Sequence, residues 1–302
     1  MAACADYPEK PVRIVVGFTP GGGPDIIARH LAQELGVMWK QQVIVENRPG
    51  AGGSLAAALV ARAAPDGYTL LSVSSAHAAA PAIYSKLPYD TKELTGITQT
   101  GASKYVLVVS PSLGISSLKQ LLQAAKEKPG SFNFSSAGVG SGTHFAAEIL
   151  KARAAIDVVH VPFKGIPEAL SETVTGRVQF FMAPIANAVG PLKDGRLIAL
   201  AVSSRERDVL LPRVPTIGEA GVPGYESTLW FGLLTSAAAP RALIERISAD
   251  AGRVLASAVT RERWLPIGIE PRPTTPAQFD ELLRNETRQF SEIARGANIR
   301  AE

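Results

Sequence analysis

The stretch V-R-I-V-V-G-F-T-P-G-G-G-P-D, from Val12 to Asp25, decides the fold, because an apolar strand runs directly into glycines and then into the start of a helix. Its first residues are mostly β-branched, which is typical of a strand covered on both faces in a parallel sheet. Gly21, Gly22 and Gly23 have no Cβ and leave the main-chain N–H groups open to a ligand. The stretch therefore predicts a strand, a glycine loop and a helix in that order.

The predicted helix makes this loop a candidate anion site. Pro24 suits the first helical turn, Ile27, Leu31 and Leu35 recur at helical spacing, and Gly36 is the predicted end of the helix. Free N–H groups and the helix dipole favour an anion at a helix N-terminus. The loop matches neither G-x-x-x-x-G-K-[ST] nor G-x-G-x-x-G, so a carboxylate is favoured over a nucleotide phosphate. A tight turn that binds nothing is the alternative.

Length and composition indicate a globular α/β protein of two compact units. The chain has 302 residues, 46% of them hydrophobic and 19% charged, and no apolar run approaches the length of a membrane span. The net charge of +4 comes without a basic block, so we expect no nucleic-acid partner. One cysteine and four widely spaced histidines predict neither a disulfide nor a metal site. The start M-A-A-C-A is compatible with a signal-peptide remnant, and Cys4 is either a lipid-anchor remnant or incidental.

Two further strands in the first hundred residues end in polar or glycine-rich segments. Val43 to Glu46 is a predicted strand followed by a glycine-rich turn, Asn47 to Ser54. The third strand, Tyr68 to Val73, is followed by Ser75 and His77. Loops at the carboxyl ends of parallel strands meet along one edge of a sheet. Ser75 and His77 are therefore expected near the same crevice, although His77 is equally compatible with a surface histidine.

The middle of the chain predicts a second unit of the same kind. Thr95 to Gln99 and Lys104 to Ser110 read as strands that cross into it, and Ser227 to Ser236 crosses back. A strand at Phe132 to Ser135 meets a glycine loop that extends to Thr143 and opens a helix. Two such loops facing each other would form a clamp. The remaining predicted strands, at Val158 to Val161, Val178 to Met182 and Leu197 to Val202, are short and aliphatic, as expected of parallel core strands. The remaining predicted helices run from the Asn47 to Ser54 turn to about Ala63, at Ser117 to Lys128, at about Pro167 to Thr175, from Pro240 and from Thr275.

Six motifs in this chain resemble those of one protein family. They are K-P-V-R-I-V-V-G-F-T-P-G-G-G-P-D (Lys10 to Asp25), V-I-V-E-N-R-P-G-A-G-G-S (Val43 to Ser54), A-P-D-G-Y-T-L-L (Ala64 to Leu71), S-S-A-G-V-G-S-G-T-H (Ser135 to His144), V-P-F-K-G (Val161 to Gly165) and V-P-T-I-G-E-A-G (Val214 to Gly221). In this order they resemble the tripartite tricarboxylate transporter substrate-binding proteins, the Bug family. The resemblance covers nearly the whole chain.

The resemblance implies a type II periplasmic-binding-protein fold: two α/β lobes, each a mainly parallel sheet flanked by helices, joined by a two-strand hinge with a ligand cleft between them. Residues 1–102 and 227–302 would form one lobe and residues 103–226 the other. It also implies a periplasmic monomer without a cofactor. This protein would capture a small carboxylate, such as a di- or tricarboxylate, an aromatic carboxylate or an acidic amino acid, and deliver it to the permease subunits of a tripartite tricarboxylate-type membrane transporter.

Two other functions are compatible with the same sequence. One is a ligand sensor of the same fold that acts on a membrane sensor kinase. The other is an enzyme that acts on a carboxylic acid, which would need an acid–base pair at readable spacing. Gly140-Ser141-Gly142 does not have the residue spacing of a G-x-S-x-G nucleophile elbow, and the sequence shows no other recognisable acid–base pair. We therefore expect a binding protein rather than an enzyme.

The candidate ligand-binding residues come from the two glycine loops and the strand ends beside them. They are Phe18, Thr19, Gly21, Gly22, Gly23, Asp25, Ser75, His77, Ser136, Gly138, Ser141, Thr143, Phe163 and Met182. Neither loop contains Arg or Lys, so backbone N–H groups, hydroxyls and helix N-termini would hold a carboxylate. The resemblance implies that Asp25 can meet an amino group when the ligand is an amino acid, and that it stays structural when the ligand is a plain carboxylate.

Several of these residues have a structural alternative. Ser141 or Thr143 can cap a helix, and Asp25 can balance a helix N-terminus. Phe18, Phe163 and Met182 can be ordinary core residues.

Overall fold

The computed structural model describes residues 7–300, so Cys4 lies outside the described residues. Its strands are β1 (Val12–Val16), β2 (Val43–Asn47), β3 (Thr69–Ser74), β4 (Leu94–Val109), β5 (Asn133–Ser136), β6 (Val159–Pro162), β7 (Phe180–Pro184), β8 (Ile198–Val202), β9 (Thr228–Ser236) and β10 (Ile269–Pro271). Its α-helices are α1 (Gly23–Trp39), α2 (Ser54–Ala61), α3 (Ala76–Ile83), α4 (Leu118–Glu127), α5 (Gly142–Ala154), α6 (Ile166–Val174), α7 (Ile185–Lys193), α8 (Arg241–Ala256), α9 (Ala258–Trp264) and α10 (Pro276–Gly296).

Both halves of the fold are built on β4. Up to Lys104 this strand pairs antiparallel with β9, and β10 lies on its other side. From Tyr105 onward it pairs antiparallel with β7 and β8. One half therefore holds a sheet in the order β2-β1-β3-β9-β4-β10, and the other holds a sheet in the order β8-β4-β7-β5-β6. We call the first sheet with its helices lobe I and the second lobe II; the predicted two-lobed α/β fold is confirmed.

The prediction of two separate crossing strands, Thr95 to Gln99 and Lys104 to Ser110, is wrong, because β4 is continuous. In sequence, Gly101 suggests an interruption between two strands. In the structure, a Cβ atom built on it would lie 3.1 Å from the carbonyl oxygen of Glu270 on β10. Glycine is needed there for close strand packing rather than for a turn. The predicted return strand is present as β9, which pairs with β3 and β4 in the lobe I sheet, so the chain returns to that lobe just before Thr228. The predicted division of the chain after residue 102 falls within β4 and remains a prediction.

The loop-bearing strands are parallel, as predicted. β1 lies between β2 and β3 and is parallel to both, and β5 is parallel to β6 and β7. β8, by contrast, pairs antiparallel with β4, so the prediction that it is a parallel core strand is wrong. The glycine loops that follow β1 and β5 therefore leave the carboxyl ends of parallel strands, where ligands bind in open α/β sheets.

α1 begins at the predicted glycine loop but does not end at Gly36. It continues to Trp39, where Lys40 adopts a left-handed φ of 53° as the C-cap. The indole N–H of Trp39 donates to Asp250 Oδ2 on α8 at 2.6 Å. The helix thus runs three residues past Gly36, and its last residue makes a tertiary contact that a local stop signal does not predict.

Apolar clusters cover both faces of each sheet. In lobe I, side chains of α1 and α8 form one cluster, and side chains of α2, α3 and α10 form another. Phe145 of α5 joins the second cluster, and its ring centroid lies 4.6 Å from that of Phe290 on α10. Lobe II therefore packs directly against lobe I through α5.

Most predicted helices are confirmed, and three, α3, α7 and α9, were not predicted. Thr275 caps α10 in a capping box with Gln278, and Pro240 is the N-cap of α8. α3 and α7 were missed, and both contain an internal proline, Pro81 and Pro191. Among residues 7–300, no helix combines the length and the apolar character that a membrane crossing requires.

Candidate functional site

The first glycine loop joins β1 to α1 and is packed from two sides. A Cβ atom built on Gly17 would lie 2.6 Å from the Cα of Gly53, so this loop touches the glycine-rich turn before α2. A Cβ atom on Gly23 would lie 2.5 Å from the ring of Phe231. Phe18 is half-buried beside Gly53, whereas Thr19 and Gly21 are exposed. The loop thus rests on the sheet with its tip open to solvent.

Asp25 holds the shape of the first loop. Its Oδ2 accepts hydrogen bonds from Gly21 N at 2.9 Å and from Arg29 Nε at 3.0 Å. Its Oδ1 accepts one from Asn47 Nδ2 at 2.8 Å. Burial raises the pKa of this carboxyl, but the bonds from Arg29, Gly21 and Asn47 outweigh it, so the pKa lies below its usual value. Both carboxylate oxygens therefore have protein partners, and a ligand amino group would have to compete with them.

Asn47 was not predicted as a site residue. Its side-chain amide also donates to the carbonyl oxygen of Phe18 at 3.1 Å, which ties the first loop to the end of β2. The signal that could have identified it is the one used for the glycine loops: a polar residue directly after a predicted strand and before glycines.

Side-chain hydroxyls organise the second glycine loop from within. Ser141 is the N-cap of α5 and accepts from His144 N at 3.3 Å. Thr143 Oγ1 accepts from Ala137 N at 2.9 Å and lies 2.9 Å from Ser141 Oγ. Ser136 Oγ accepts from Gly138 N at 3.1 Å. The capping alternative is therefore confirmed for Ser141, and the Thr143 hydroxyl spans the loop.

The second loop meets lobe I at the start of α3. A Cβ atom built on Gly142 would lie 2.2 Å from Tyr105 Oη and 3.0 Å from Ser75 Oγ. A Cβ atom on Gly140 would lie 1.9 Å from Ile83 Cδ1. Ser75 is the N-cap of α3 and Gly142 is the first residue of α5, so two helix N-termini meet here.

Two buried hydroxyls at this junction lack partners within the described part of the chain. Tyr105 and Ser75 are each 1% exposed. Their oxygens are near enough for Ser75 to lower the pKa of the phenol slightly, although burial raises that pKa overall. Neither oxygen has a partner at hydrogen-bond geometry among residues 7–300. Tyr105 was not predicted, because in sequence it is one aromatic residue in an apolar strand.

The other predicted contacts lie at different depths. His77 is half-buried in the first turn of α3, its ring 6.0 Å from that of Tyr89, and burial lowers its pKa to about 4. Phe163 is half-buried beside the second loop, where its N–H donates to Ser136 O at 3.0 Å. Met182 is fully buried in the core of lobe II and pairs with Leu107 of β4. The structure does not bring Met182 to the surface of the loops.

The cations near the loops are mostly paired. Arg29 pairs with Asp25, and Arg48 pairs with Glu46. Lys164, next to Phe163, is exposed and has no ion pair within the described part of the chain. Helix N-termini and backbone N–H groups are thus the main positive features of the two loops.

A cavity of about 890 Å³ lies elsewhere in lobe II, between β8, the start of α4 and residues 211–221. None of the predicted site residues lines it. In residues 7–300 no group of three His, Cys, Asp or Glu side chains is arranged to hold a metal ion.

Comparison with known proteins gives one consistent result. Residues 27–299 match the model of the tripartite tricarboxylate transporter family receptor. The chain is 30% identical to the protein BugT of Bordetella pertussis over 299 residues, covering 97% of this chain and 92% of BugT.

Two solved structures share the fold over nearly their whole length. R. palustris Rpa4515, solved with adipate, superposes with a TM-score of 0.91 at 29% identity, covering 97% of this chain and 99% of that one. MatC from Rhodopseudomonas palustris, solved with bound malate, superposes with a TM-score of 0.86 at 31% identity, covering 95% and 99%.

Proposed function

The chain belongs to the tripartite tricarboxylate transporter receptor family, and we propose that it is a periplasmic solute-binding protein that captures a small carboxylate. It delivers this carboxylate, as a monomer, to the permease subunits of a tripartite tricarboxylate-type transporter. The family and the structural relatives are binding proteins rather than enzymes. The absence of a readable acid–base pair in the sequence agrees with a binding role.

One observation carries the proposal: the N-terminus of α5 meets the N-terminus of α3 where the lobes touch. Gly142 and Ser75 are in contact there, and the second glycine loop borders the junction. Free N–H groups at helix N-termini attract anions, and each terminus contributes about 0.3 to 1 kcal/mol. Charge-assisted bonds from backbone N–H to a carboxylate are about twice as strong as neutral ones. These donors can hold a carboxylate without a lysine or arginine in either loop.

The ligands of the structural relatives suggest which carboxylates to test first. One relative was solved with adipate and the other with malate, both aliphatic dicarboxylates. A dicarboxylate has one anionic group for each lobe. Lobe I offers the helix N-termini of α1 and α3, and lobe II offers that of α5.

A melting experiment tests the proposal. The protein is unfolded and refolded to remove carried ligand, and its melting temperature is measured with succinate, malate, adipate, citrate, benzoate and glutamate. A carboxylate present at about 100 times its dissociation constant adds roughly 2.7 kcal/mol to the folded state. At least one clear increase is expected, without any chemical change of the carboxylate. A folded, ligand-free protein that responds to none of the six contradicts the proposal.

A further inference from the structure

Two histidines stack behind the second glycine loop. The rings of His144 on α5 and His160 on β6 have centroids 3.8 Å apart and are inclined by 11°. His144 is buried and His160 is half-buried. Each ring also contacts the loop by a hydrogen bond, which ordinary core packing would not require.

His144 holds the loop at Gly140. The backbone N–H of Gly140 donates to His144 Nδ1 at 3.1 Å. A backbone N–H can only donate, so Nδ1 must be unprotonated and the ring neutral while this bond exists. Gly140 has a φ of 76°, so the bond fixes a residue in a left-handed conformation.

His160 reaches the loop through Ser136. His160 Nε2 lies 2.6 Å from Ser136 Oγ, and the same oxygen accepts from Gly138 N at 3.1 Å. Gly138 is also left-handed, with a φ of 114°. The stacked pair is therefore connected to both left-handed glycines on the N-terminal side of α5.

The surroundings keep both rings neutral. Burial lowers the pKa of His144 to about 3, helped by His160 and Lys151, and burial lowers that of His160 to about 4, helped by Lys151. Glu148 Oε1 lies 3.8 Å from His144 Nε2, and burial raises the pKa of this carboxyl. Phe134 of β5, an uncharged group, stacks on both rings, with its centroid 4.9 Å from that of His160 and 6.1 Å from that of His144.

We propose that His144 and His160 are positioning residues of the binding site: as a neutral stacked pair they hold Gly140 and Gly138 in the conformation that presents the second loop to a carboxylate. The part of the proposal that concerns the loop conformation depends only on the hydrogen bonds that connect the histidines to Gly140 and Gly138. The effect on the carboxylate rests on the function proposed above.

Matched substitutions separate the hydrogen bond from the stacking. His144→Asn places an amide oxygen near the position of Nδ1 but has no ring, whereas His144→Phe keeps the ring and loses the acceptor. The exchange of the Gly140 amide with water is measured by NMR on protein labelled with ¹⁵N-glycine. We expect the phenylalanine variant to exchange roughly tenfold faster than wild type, as for the loss of one backbone hydrogen bond, and the asparagine variant to stay near wild type. Equal rates in the two variants overturn the proposal.

His160 has a corresponding pair. His160→Gln keeps a polar group near Nε2, and His160→Phe does not, so only the second variant should speed exchange at Gly138. ¹⁵N-histidine labelling should find both rings neutral in the wild type at pH 6. An imidazolium signal from either ring at that pH contradicts the proposal.

A remote histidine controls for general loss of stability. His30 is buried in lobe I, where its Nε2 lies 2.7 Å from Thr260 Oγ1. His30→Phe should leave exchange at Gly138 and Gly140 unchanged. If it accelerates both amides as much as His144→Phe does, the two lobe II histidines have no special relation to the loop and the proposal is wrong.

Calorimetric titration with adipate and malate connects the loop to binding. His144→Phe should weaken the binding of whichever dicarboxylate the wild type binds by about tenfold, and His144→Asn should restore most of it. Wild-type affinity in His144→Phe, despite fast Gly140 exchange, overturns the positioning role. A wild type that binds neither compound counts against the proposed dicarboxylate, while the exchange rates still decide whether the histidines hold the loop.

Discussion

Gly22 differs from its two neighbours because the fold itself does not require a glycine there. Gly21 has a φ of 84°, which favours glycine, and a Cβ atom on Gly23 would collide with Phe231. Gly22 has a φ of −77°, and a Cβ atom built on it would have its nearest contact, Thr19 O, at 3.6 Å. The protein itself could therefore accommodate a side chain at Gly22, and the absence of one leaves room for a ligand above the loop.

Gly22→Val is therefore expected to remove ligand binding and spare the fold. The branched side chain would cover N–H groups of the loop, while stability should fall by no more than about 1 kcal/mol from a poorer N-cap. Melting and calorimetric titration with a carboxylate that stabilises the wild type measure the two effects. Gly190→Val, at an exposed position of α7 with no atoms near the built Cβ, is the control and should bind normally. Full affinity in Gly22→Val would show that the first loop is not part of the site.

Thr143 contributes a hydrogen bond that stays inside the protein. Its hydroxyl is the acceptor for Ala137 N, and the side chain is 3% exposed. Thr143→Val keeps the shape but leaves that N–H unpaired, so stability should fall by about 1 to 3 kcal/mol. Carboxylate affinity should fall with it, because the loop is less well ordered. Thr143→Ser keeps the oxygen and should recover most of both losses, as measured by urea unfolding and by titration with the carboxylate. If Thr143→Ser recovers neither, the methyl group of Thr143 rather than its hydroxyl holds the loop.

Among the elements, the two strand–glycine-loop–helix units were predictable because each carries local signals. β1 and β5 are each followed by a glycine loop, and Pro24 and Ser141 mark the helix starts. α3 was not predictable in the same way. Its sequence, A-H-A-A-A-P-A-I, is short, lacks polar alternation and contains Pro81. α3 is formed by packing against α10, which is distant in sequence.

The junction of α3 and α5 also depends on contacts between distant elements. Gly142 lies against Tyr105 from β4 and Ser75 from the end of β3, so three segments far apart in sequence share one contact. A glycine at a helix start is compatible with many roles in sequence. Only the packing shows that Gly142 must lack a side chain, because the hydroxyl oxygen of Tyr105 occupies the space that a Cβ atom would need.

Gly142→Ala should destabilise the junction, and Tyr105→Phe should relieve it. The added methyl group would lie 2.2 Å from Tyr105 Oη but 3.5 Å from Tyr105 Cζ, so removal of the oxygen turns a collision into an ordinary contact. We expect Gly142→Ala alone to cost about 1 to 3 kcal/mol. Tyr105→Phe alone should be nearly neutral or stabilising, because its hydroxyl has no partner among residues 7–300.

The double variant provides the test of this junction. It should lose less stability than the sum of the single variants, a coupling that urea unfolding can measure as a double-mutant cycle. Additive losses would mean that Ser75 Oγ, 3.0 Å from the same methyl group, dominates the collision. Gly142→Ala with Ser75→Ala would then be the coupled pair.

At the scale of the whole molecule, the sequence could indicate two lobes but not how they meet. The strand patterns and the family motifs predict both sheets. The contact of Phe145 with Phe290 and the shared strand β4 depend on the relative placement of the lobes. The same limit explains Met182: its position at the end of a predicted strand suggested a cleft wall, whereas the sheet buries it under α5 and β4.

Two chain connections near the middle of the molecule join the lobes. β4 passes from one sheet to the other between Lys104 and Tyr105, and the return passes through Ser227, whose N–H donates to Ser203 O at 3.1 Å. Few residues need to change φ and ψ for a hinge of this kind. The contacts between the lobes at Gly142 and Phe145 would have to open for the lobes to separate.

Ligand should therefore make the molecule more compact in solution. A carboxylate that contacts both glycine loops binds more tightly when the lobes are close, so saturation shifts the population toward the closed form. Small-angle X-ray scattering of ligand-stripped protein, with and without the carboxylate that raises its melting temperature, should show a smaller radius of gyration with ligand. Gly22→Val at the same carboxylate concentration is the control and should keep the ligand-free curve. Superimposable curves for the wild type would indicate that the lobes are already closed through the α5 contacts, and the hinge would then have no part in capture.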